Sequence, residues 1–132
     1  MKASLVILTV LVPIMSCTYN PYVQGARLYE IHCSNCHMSD GVGLGSLYPP
    51  LNGPSYREDF ANDFACIVRH GLSDTIIIGM QIYDTPMEGL PDLSSAEIAN
   101  IYNFIAHSWH PSLEKLSQEI VEQNLERCLG RK

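Results

Sequence analysis

The chain has few basic residues, a single long apolar run, and no second pair of closely spaced cysteines. Its 8 lysines and arginines are outnumbered by 14 aspartates and glutamates, giving a formal net charge of −6. This charge disfavours nucleic acid as a partner. With 132 residues, the chain has room for one small domain with extensions. No spacing marks a nucleophile with its base, so we expect no enzyme active site.

The long apolar run lies near the start of the chain. It covers Leu5 to Met15 after the basic Lys2, is too short to span a bilayer comfortably, and has the size of a signal-peptide core. The segment Ile14-Met15-Ser16-Cys17 resembles the lipobox of bacterial lipoproteins. This resemblance implies that residues 1–16 are removed and that Cys17 becomes a lipid anchor to a membrane on the periplasmic side, inner or outer. Ordinary cleavage and a retained anchor are the alternatives.

The most specific motif is Cys33-Ser34-Asn35-Cys36-His37. On a helix this spacing places two thiols and an imidazole on the same side. It is the spacing by which a c-type haem is attached, with both thiols adding to vinyl groups and the imidazole binding the iron. A thioredoxin-like redox pair would need a βαβ pattern, and a zinc site would need a second ligand pair. The sequence shows no βαβ pattern and no second cysteine pair, so the motif predicts one covalently bound haem c.

The residues that follow this motif resemble those of class I c-type cytochromes. Asp40-Gly41-Val42-Gly43 and Pro49-Pro50-Leu51 are similar to the Asp-Gly-x-Gly loop and the Pro-Pro-Leu segment of that family. The resemblance covers about residues 22–109. It implies that the backbone carbonyl of Pro50 accepts a hydrogen bond from the imidazole that binds the iron.

The resemblance also implies that Met87 is the second axial ligand of the iron. Glu88 follows it where the family usually has proline, a difference that could shift the loop. Met80 is the rival ligand, although an isolated methionine more often serves packing. A neutral thioether opposite an imidazole raises the reduction potential relative to harder ligands.

The expected fold is all-α, a cytochrome c fold with three main helices around one haem and an extra C-terminal amphipathic helix. The linker is expected at 17–21 and the cytochrome domain at 22–110. Helices are predicted from about Tyr22 to the haem motif, from about Arg57 to His70, and from a Ser94–Glu97 capping box to Trp109. A short hairpin is predicted at Ile76–Ile78 and Gln81–Tyr83. By resemblance, Phe104 crosses the first helix at Gly25 and Tyr29.

Residues 111–132 exceed the usual length of the family. Apolar residues at helical spacing predict an amphipathic helix from about Ser112 to Cys128: Leu113, Leu116, Ile120 and Leu125. Cys66 and Cys128 are the thiols that remain after haem and lipid are assigned. They can form a disulfide in an oxidising compartment. The alternative is a buried Cys66 and a free Cys128.

Together these features predict a carrier of single electrons between redox partner proteins, not an enzyme. Loss of residues 1–16 would remove one positive charge, that of Lys2, which favours a partner with a basic docking face. Two alternatives remain open. One is a haem subunit that docks on a larger oxidoreductase through the Ser112–Cys128 helix. The other is a haem sensor or peroxidase in which the axial position of Met87 is open.

Overall fold

The computed structural model describes residues 20–54 and 58–129. The predicted signal peptide and Cys17 therefore lie outside the described residues. Within them the helices are α1 (Val23–His32), α2 (Ser34–His37), α3 (Glu58–His70), α4 (Ser95–Trp109) and α5 (Gln118–Leu129). Strands β1 (Ile76–Ile78) and β2 (Gln81–Tyr83) form an antiparallel hairpin between α3 and α4. None of these described helices is long and apolar enough to cross a membrane. The predicted helical architecture with its short hairpin is confirmed.

Helices α1 and α4 cross at Gly25, as predicted. A Cβ atom at this position would collide with the backbone carbonyl of Asn100 and with Phe104, so only glycine permits the close approach. One turn further along α1, the buried Tyr29 ring lies 5.4 Å from the Phe104 ring, centroid to centroid, and 5.5 Å from Trp109. This aromatic cluster fixes α1 against α4 immediately before the Cys-x-x-Cys-His motif.

Helix α4 begins with the capping box that the sequence predicts. The Ser94 hydroxyl accepts from the Glu97 N–H at 3.3 Å, and the Glu97 carboxylate accepts from the Ser94 N–H at 2.8 Å. Hydrogen bonds from Ser94 lower the pKa of the Glu97 carboxyl. The helix contributes Ile98, Ile101, Tyr102 and Ile105 to the central core. The other elements of this core are α1, α3 and α5, which contribute Tyr29, Phe64, Ala65, Val68 and Val121.

Helix α5 begins at Gln118, six residues later than the prediction. The reason lies in Asn103 of α4, whose Nδ2 donates to the Leu116 carbonyl at 2.8 Å. Its Oδ1 accepts from the Leu116 N–H at 2.9 Å. Both backbone groups of Leu116 are thus engaged outside a helix. Ser117 then accepts from the Ile120 N–H at 3.3 Å and starts α5 as its N-cap.

The predicted packing of the extension is confirmed at Leu113, Leu116 and Leu125, which pack against the core. It is wrong at Ile120, which is 40% exposed, whereas Val121 and Asn124 are buried. Cys66 on α3 and Cys128 on α5 are joined by a disulfide, with Cα atoms 5.8 Å apart. The C-terminal extension is therefore an integral part of the core, since it is attached to α3 both by packing and by a covalent bond.

Candidate functional site

The two other cysteines in the described part of the chain lie at a break between α1 and α2. Cys33 ends α1, its N–H donating to the Tyr29 carbonyl at 2.8 Å, and α2 is a single turn that carries Cys36 and His37. Both thiols are free, half-buried and on the wall of one cavity. Burial, with a smaller effect of Cys36, raises the pKa of the Cys33 thiol to about 12. The Cys33 thiol is therefore neutral.

His37 is buried, and its ring is oriented by a backbone carbonyl. The Nδ1 atom lies 2.9 Å from the carbonyl oxygen of Pro49, so Nδ1–H donates and Nε2 keeps its lone pair. Burial lowers the pKa of the imidazole, and the bond to Pro49 opposes this effect only in part. The side chain is thus held as a neutral imidazole, the form that binds metals.

The expected acceptor, Pro50, was wrong by one residue. The loop after the motif turns back through a bridge in which the Leu44 N–H donates to the Tyr48 carbonyl at 3.0 Å. Pro49, the first residue after this bridge, faces His37. The glycine at Gly43 (φ +72°) permits this arrangement, because a Cβ there would collide with the Tyr48 and Pro49 carbonyls. Pro50 lines the cavity beside them.

Two residues at the end of α4 also hold this loop, and sequence reasoning did not assign them this role. The Trp109 ring packs directly on Gly41 (φ +74°), where a Cβ would lie 2.7 Å from the ring. The His110 Nε2 bonds to the Leu51 carbonyl at 2.6 Å, and the Leu51 N–H donates to Gly41 at 2.7 Å. No motif in the sequence signals these contacts.

Met87 lies on the cavity wall, in a segment fixed to the end of α3. Its N–H donates to the Leu72 carbonyl at 2.8 Å, and the Leu72 N–H donates to the Met87 carbonyl at 2.9 Å. Gly71 (φ +80°) and Gly89 let the two backbones approach, since a Cβ on either would strike the opposing chain. Met80, by contrast, is fully exposed in the hairpin turn and does not line the cavity.

A second support of this segment is Arg69, which sequence reasoning did not identify. Its guanidinium donates from Nη1 to the Pro91 carbonyl at 2.9 Å and from Nη2 to the Leu93 carbonyl at 2.6 Å. These bonds attach the chain that follows Met87 to α3. A lone arginine in an amphipathic helix gives no sequence signal for such a role, because it is equally compatible with a solvated surface.

The cavity has a volume of about 490 Å³, within the range of cofactor sites. Its walls bring together five of the predicted site residues: Cys33, Cys36, His37, Pro50 and Met87. The rest of its lining is mainly apolar, with contributions from α3, the hairpin and α4: Phe64, Ile67, Val68, Leu72, Ile76, Ile78, Tyr83, Leu90 and Ile105. An apolar cavity with two free thiols, a neutral imidazole and a thioether fits a covalently attached haem and its iron.

Comparison with known proteins gives a consistent result. The family model described as Cytochrome c matches residues 22–109. A cytochrome c subunit of alcohol dehydrogenase (quinone) from Gluconobacter oxydans (strain 621H) is 34% identical over 89 residues, which are 64% of this chain and 18% of that protein. Cytochrome c-552 of Thermus thermophilus is 29% identical over 89 residues, covering 64% of this chain and 67% of that protein. The corresponding Komagataeibacter europaeus subunit is 29% identical over 92 residues, which are 66% of this chain and 19% of that protein.

Proposed function

Because this chain belongs to the cytochrome c family of electron-carrying proteins with covalently bound haem c, we propose that it transfers single electrons between redox partners outside the inner membrane. The observation that carries this proposal is the convergence of His37, Met87 and two free thiols on one apolar cavity. These groups come from separate parts of the domain sequence, and the fold brings them to one cavity.

Each site residue has a defined role in the proposal. Cys33 and Cys36 would form the two thioethers of the haem, and His37 Nε2 and the Met87 thioether would bind its iron. Bound haem supplies a reversible one-electron change at its iron. The Pro49 carbonyl accepts the hydrogen bond from Nδ1 of His37, which leaves Nε2 on the other side of the ring free to bind a metal. The backbone bridge to Leu72 fixes the position of Met87.

These constraints explain why carriage is a better assignment than catalysis. If His37 and Met87 both bound the iron, no coordination position would be left for a substrate. The His37 ring is oriented by the Pro49 carbonyl and the Met87 backbone is bonded to Leu72, which would favour retention of both ligands in either oxidation state. The lining is mainly apolar, which would limit the water near the iron.

The test is the optical spectrum of the purified holoprotein in the oxidised and reduced forms. Oxidised wild type should show the weak near-infrared band of sulfur-to-iron charge transfer. The Met87→Ala variant should lose this band and bind carbon monoxide rapidly when reduced. Met80→Ala, which changes an exposed methionine outside the cavity, is the matched control and should leave the spectrum unaltered.

Other spectral results would support Met80 as the ligand or an open position at the iron. A band that disappears in Met80→Ala and survives in Met87→Ala would assign the ligand to the hairpin turn. A wild-type protein that lacks the band and binds carbon monoxide rapidly has an open axial position. That result would favour a haem sensor or a peroxidase and contradict the proposed carrier.

As part of the same proposal, the protein is exported and is anchored to a membrane on the periplasmic side through a lipid on Cys17. Its support is the apolar run and the lipobox-like residues before Cys17. The Cys17→Ala variant should move from the membrane fraction to the soluble periplasmic fraction, and Thr18→Ala should stay in the membrane fraction. Membrane retention of Cys17→Ala would refute acyl anchoring.

A second candidate function is that of a haem subunit in a larger oxidoreductase. It is favoured by the relatives whose names describe cytochrome c subunits of a quinone-dependent alcohol dehydrogenase. Deleting α5 is not a clean test, because Val121 is fully buried and Cys128 is disulfide-bonded. Charge reversal on its exposed face, Glu122→Lys with Glu126→Lys, should abolish recovery of a complex from membranes and leave the haem spectrum intact. Unchanged recovery would contradict docking through α5.

A further inference from the structure

The β1–β2 hairpin separates the cavity from solvent. On its inner side Ile76, Ile78 and Tyr83 line the cavity, as expected for alternating side chains of a strand. On its outer side Ile77 and Ile82 are directly opposite one another in the register, 69% and 55% exposed. Met80, in the turn, is fully exposed. We call Ile77, Met80 and Ile82 the outer hairpin face.

The charged residues that adjoin the hairpin in the sequence are acidic. The cavity lining, as far as the structure describes the chain, contains Asp74 and Glu88 and no lysine or arginine. Asp74 precedes β1, Asp84 follows β2, and both are exposed, as is Glu88. Arg69 directs its guanidinium to the Pro91 and Leu93 carbonyls. The outer hairpin face is therefore an apolar patch flanked by carboxylates.

We propose that the outer hairpin face is the docking surface for a redox partner whose own docking face has an apolar centre within a rim of lysine and arginine. The inference rests on the proposed electron carriage and specifies where it occurs. The opposed Ile77 and Ile82 side chains help the two strands to pair, but more than half of each side chain is still exposed to water. An apolar centre with complementary charged surroundings is the usual construction of a transient interface.

The position of the hairpin also suits electron transfer. A partner seated on Ile77 and Ile82 is separated from the cavity by one layer of backbone and by the inward side chains of the same two strands. The carboxylates on either side would speed the encounter with a basic partner and disfavour an anionic lipid surface. The same surface is less suited to a second copy of this chain, because the carboxylates of the two copies would face each other.

The first test measures binding by NMR of the reduced holoprotein with labelled isoleucine methyl groups. The probe is the synthetic peptide Lys-Lys-Leu-Leu-Lys-Lys, and the control peptide has glutamate in place of lysine. The methyl signals of Ile77 and Ile82 should shift with the basic peptide and not with the acidic one. Ile31 and Ile120, which are 58% and 40% exposed on helices, serve as internal controls and should not shift.

The second test measures electron transfer by flash photolysis, with a tris-bipyridine ruthenium complex attached to the basic peptide. The double variant Ile77→Ser with Ile82→Ser should lower the second-order rate constant about tenfold, because it removes the apolar contacts at the centre of the proposed interface. Asp74→Asn with Asp84→Asn should lower the rate and flatten its dependence on salt. The Ile120→Ser variant is the control and should match the wild type.

The outcomes separate docking from electron carriage. If the free ruthenium complex fails to reduce the wild-type haem, the proposed function fails. If the free complex reduces every variant equally and the peptide-bound complex is insensitive to the hairpin variants, only the docking proposal is overturned. Docking is also overturned if neutral phosphatidylcholine vesicles shift the hairpin methyl signals, or if the hairpin variants convert a dimer into a monomer in sedimentation.

Discussion

At the scale of single residues, the site depends on backbone carbonyls as much as on its named side chains. The His37 ring is oriented by the Pro49 carbonyl at 2.9 Å. Tyr29, whose pKa is raised by its own burial, donates its hydroxyl to the Met38 carbonyl at 2.7 Å. Met38 has a φ of +62°, unusual for a residue with a side chain. The conformation of the loop therefore decides how the imidazole is presented.

Two glycines of this loop provide a matched test of that dependence. Gly43 and Gly45 both have positive φ, but an added Cβ collides with Pro49 only at Gly43 and meets nothing within 4 Å at Gly45. Gly43→Ala should lower the free energy of unfolding by about 2 kcal/mol more than Gly45→Ala does. It should also raise the reduction potential, because a weakened bond to Pro49 makes His37 a poorer electron donor.

Denaturant titration and voltammetry of the two variants measure these differences. If Gly43→Ala and Gly45→Ala lost the same stability and had the same reduction potential, the contact with Pro49 would have no role. The strain of a positive φ, which both positions share, would then explain the loss.

A site residue could be predicted when its side chain forms part of a sequence motif, and could not when its role depends on the conformation of the backbone. The Cys33–His37 motif is encoded by side chains at fixed spacing, and the structure places these residues on one cavity wall. The acceptor carbonyl is a backbone group available at every residue, so a one-residue difference in the turn moved it from Pro50 to Pro49. Met87 and Met80 differ in sequence context only weakly, whereas their burial separates them clearly.

At the scale of elements, α4 has the most clearly encoded boundary. Its capping box was predicted because the Ser94 and Glu97 side chains themselves make the contacts. The start of α5 was wrong because Asn103 on α4 binds the Leu116 backbone from a distance of 13 residues in sequence. A tertiary contact of this type leaves no local pattern.

The capping box makes a prediction about pH. The pKa of Glu97 is lowered in the folded protein by hydrogen bonds from Ser94, so its contribution to stability is present above the unfolded pKa and is lost as the pH falls through the folded pKa. Glu97→Gln should therefore reduce the free energy of unfolding at about pH 7 and make little difference at about pH 3. Glu126→Gln, on the exposed face of α5, is the control. A Glu97→Gln effect that is the same at both pH values would contradict this account.

The attachment of α5 to α3 makes a second prediction at this scale. Replacing both Cys66 and Cys128 by alanine opens a cross-link with a sequence separation of 62, and should lower the free energy of unfolding by about 4 kcal/mol in the chain-entropy model. Denaturant titration of the holoprotein measures the loss. A dithiol reductant should destabilise the wild type and leave the double variant unaffected. Equal sensitivity of both proteins to the reductant would show that the disulfide is not the cause.

At the scale of the whole molecule, the cavity is lined by residues from the first four helices, the hairpin and the loops between them. The Cys-x-x-Cys-His turn and its loop form one side, α3 and the hairpin another, and the Met87 segment is attached to α3 through Leu72 and Arg69. The disulfide extends this support to α5. The fold class and the cofactor could be predicted because local motifs encode them. The contacts that hold the cavity walls together join residues distant in sequence, so they could not be predicted.

The most direct test of the central claim is iron K-edge X-ray absorption of the holoprotein in both oxidation states. The claim is that His37 and Met87 remain bound to the iron whether or not it carries the electron. The account predicts one sulfur ligand at nearly the same distance in the oxidised and reduced proteins, and its loss in Met87→Ala. A first shell without sulfur, or sulfur in one oxidation state only, would contradict it.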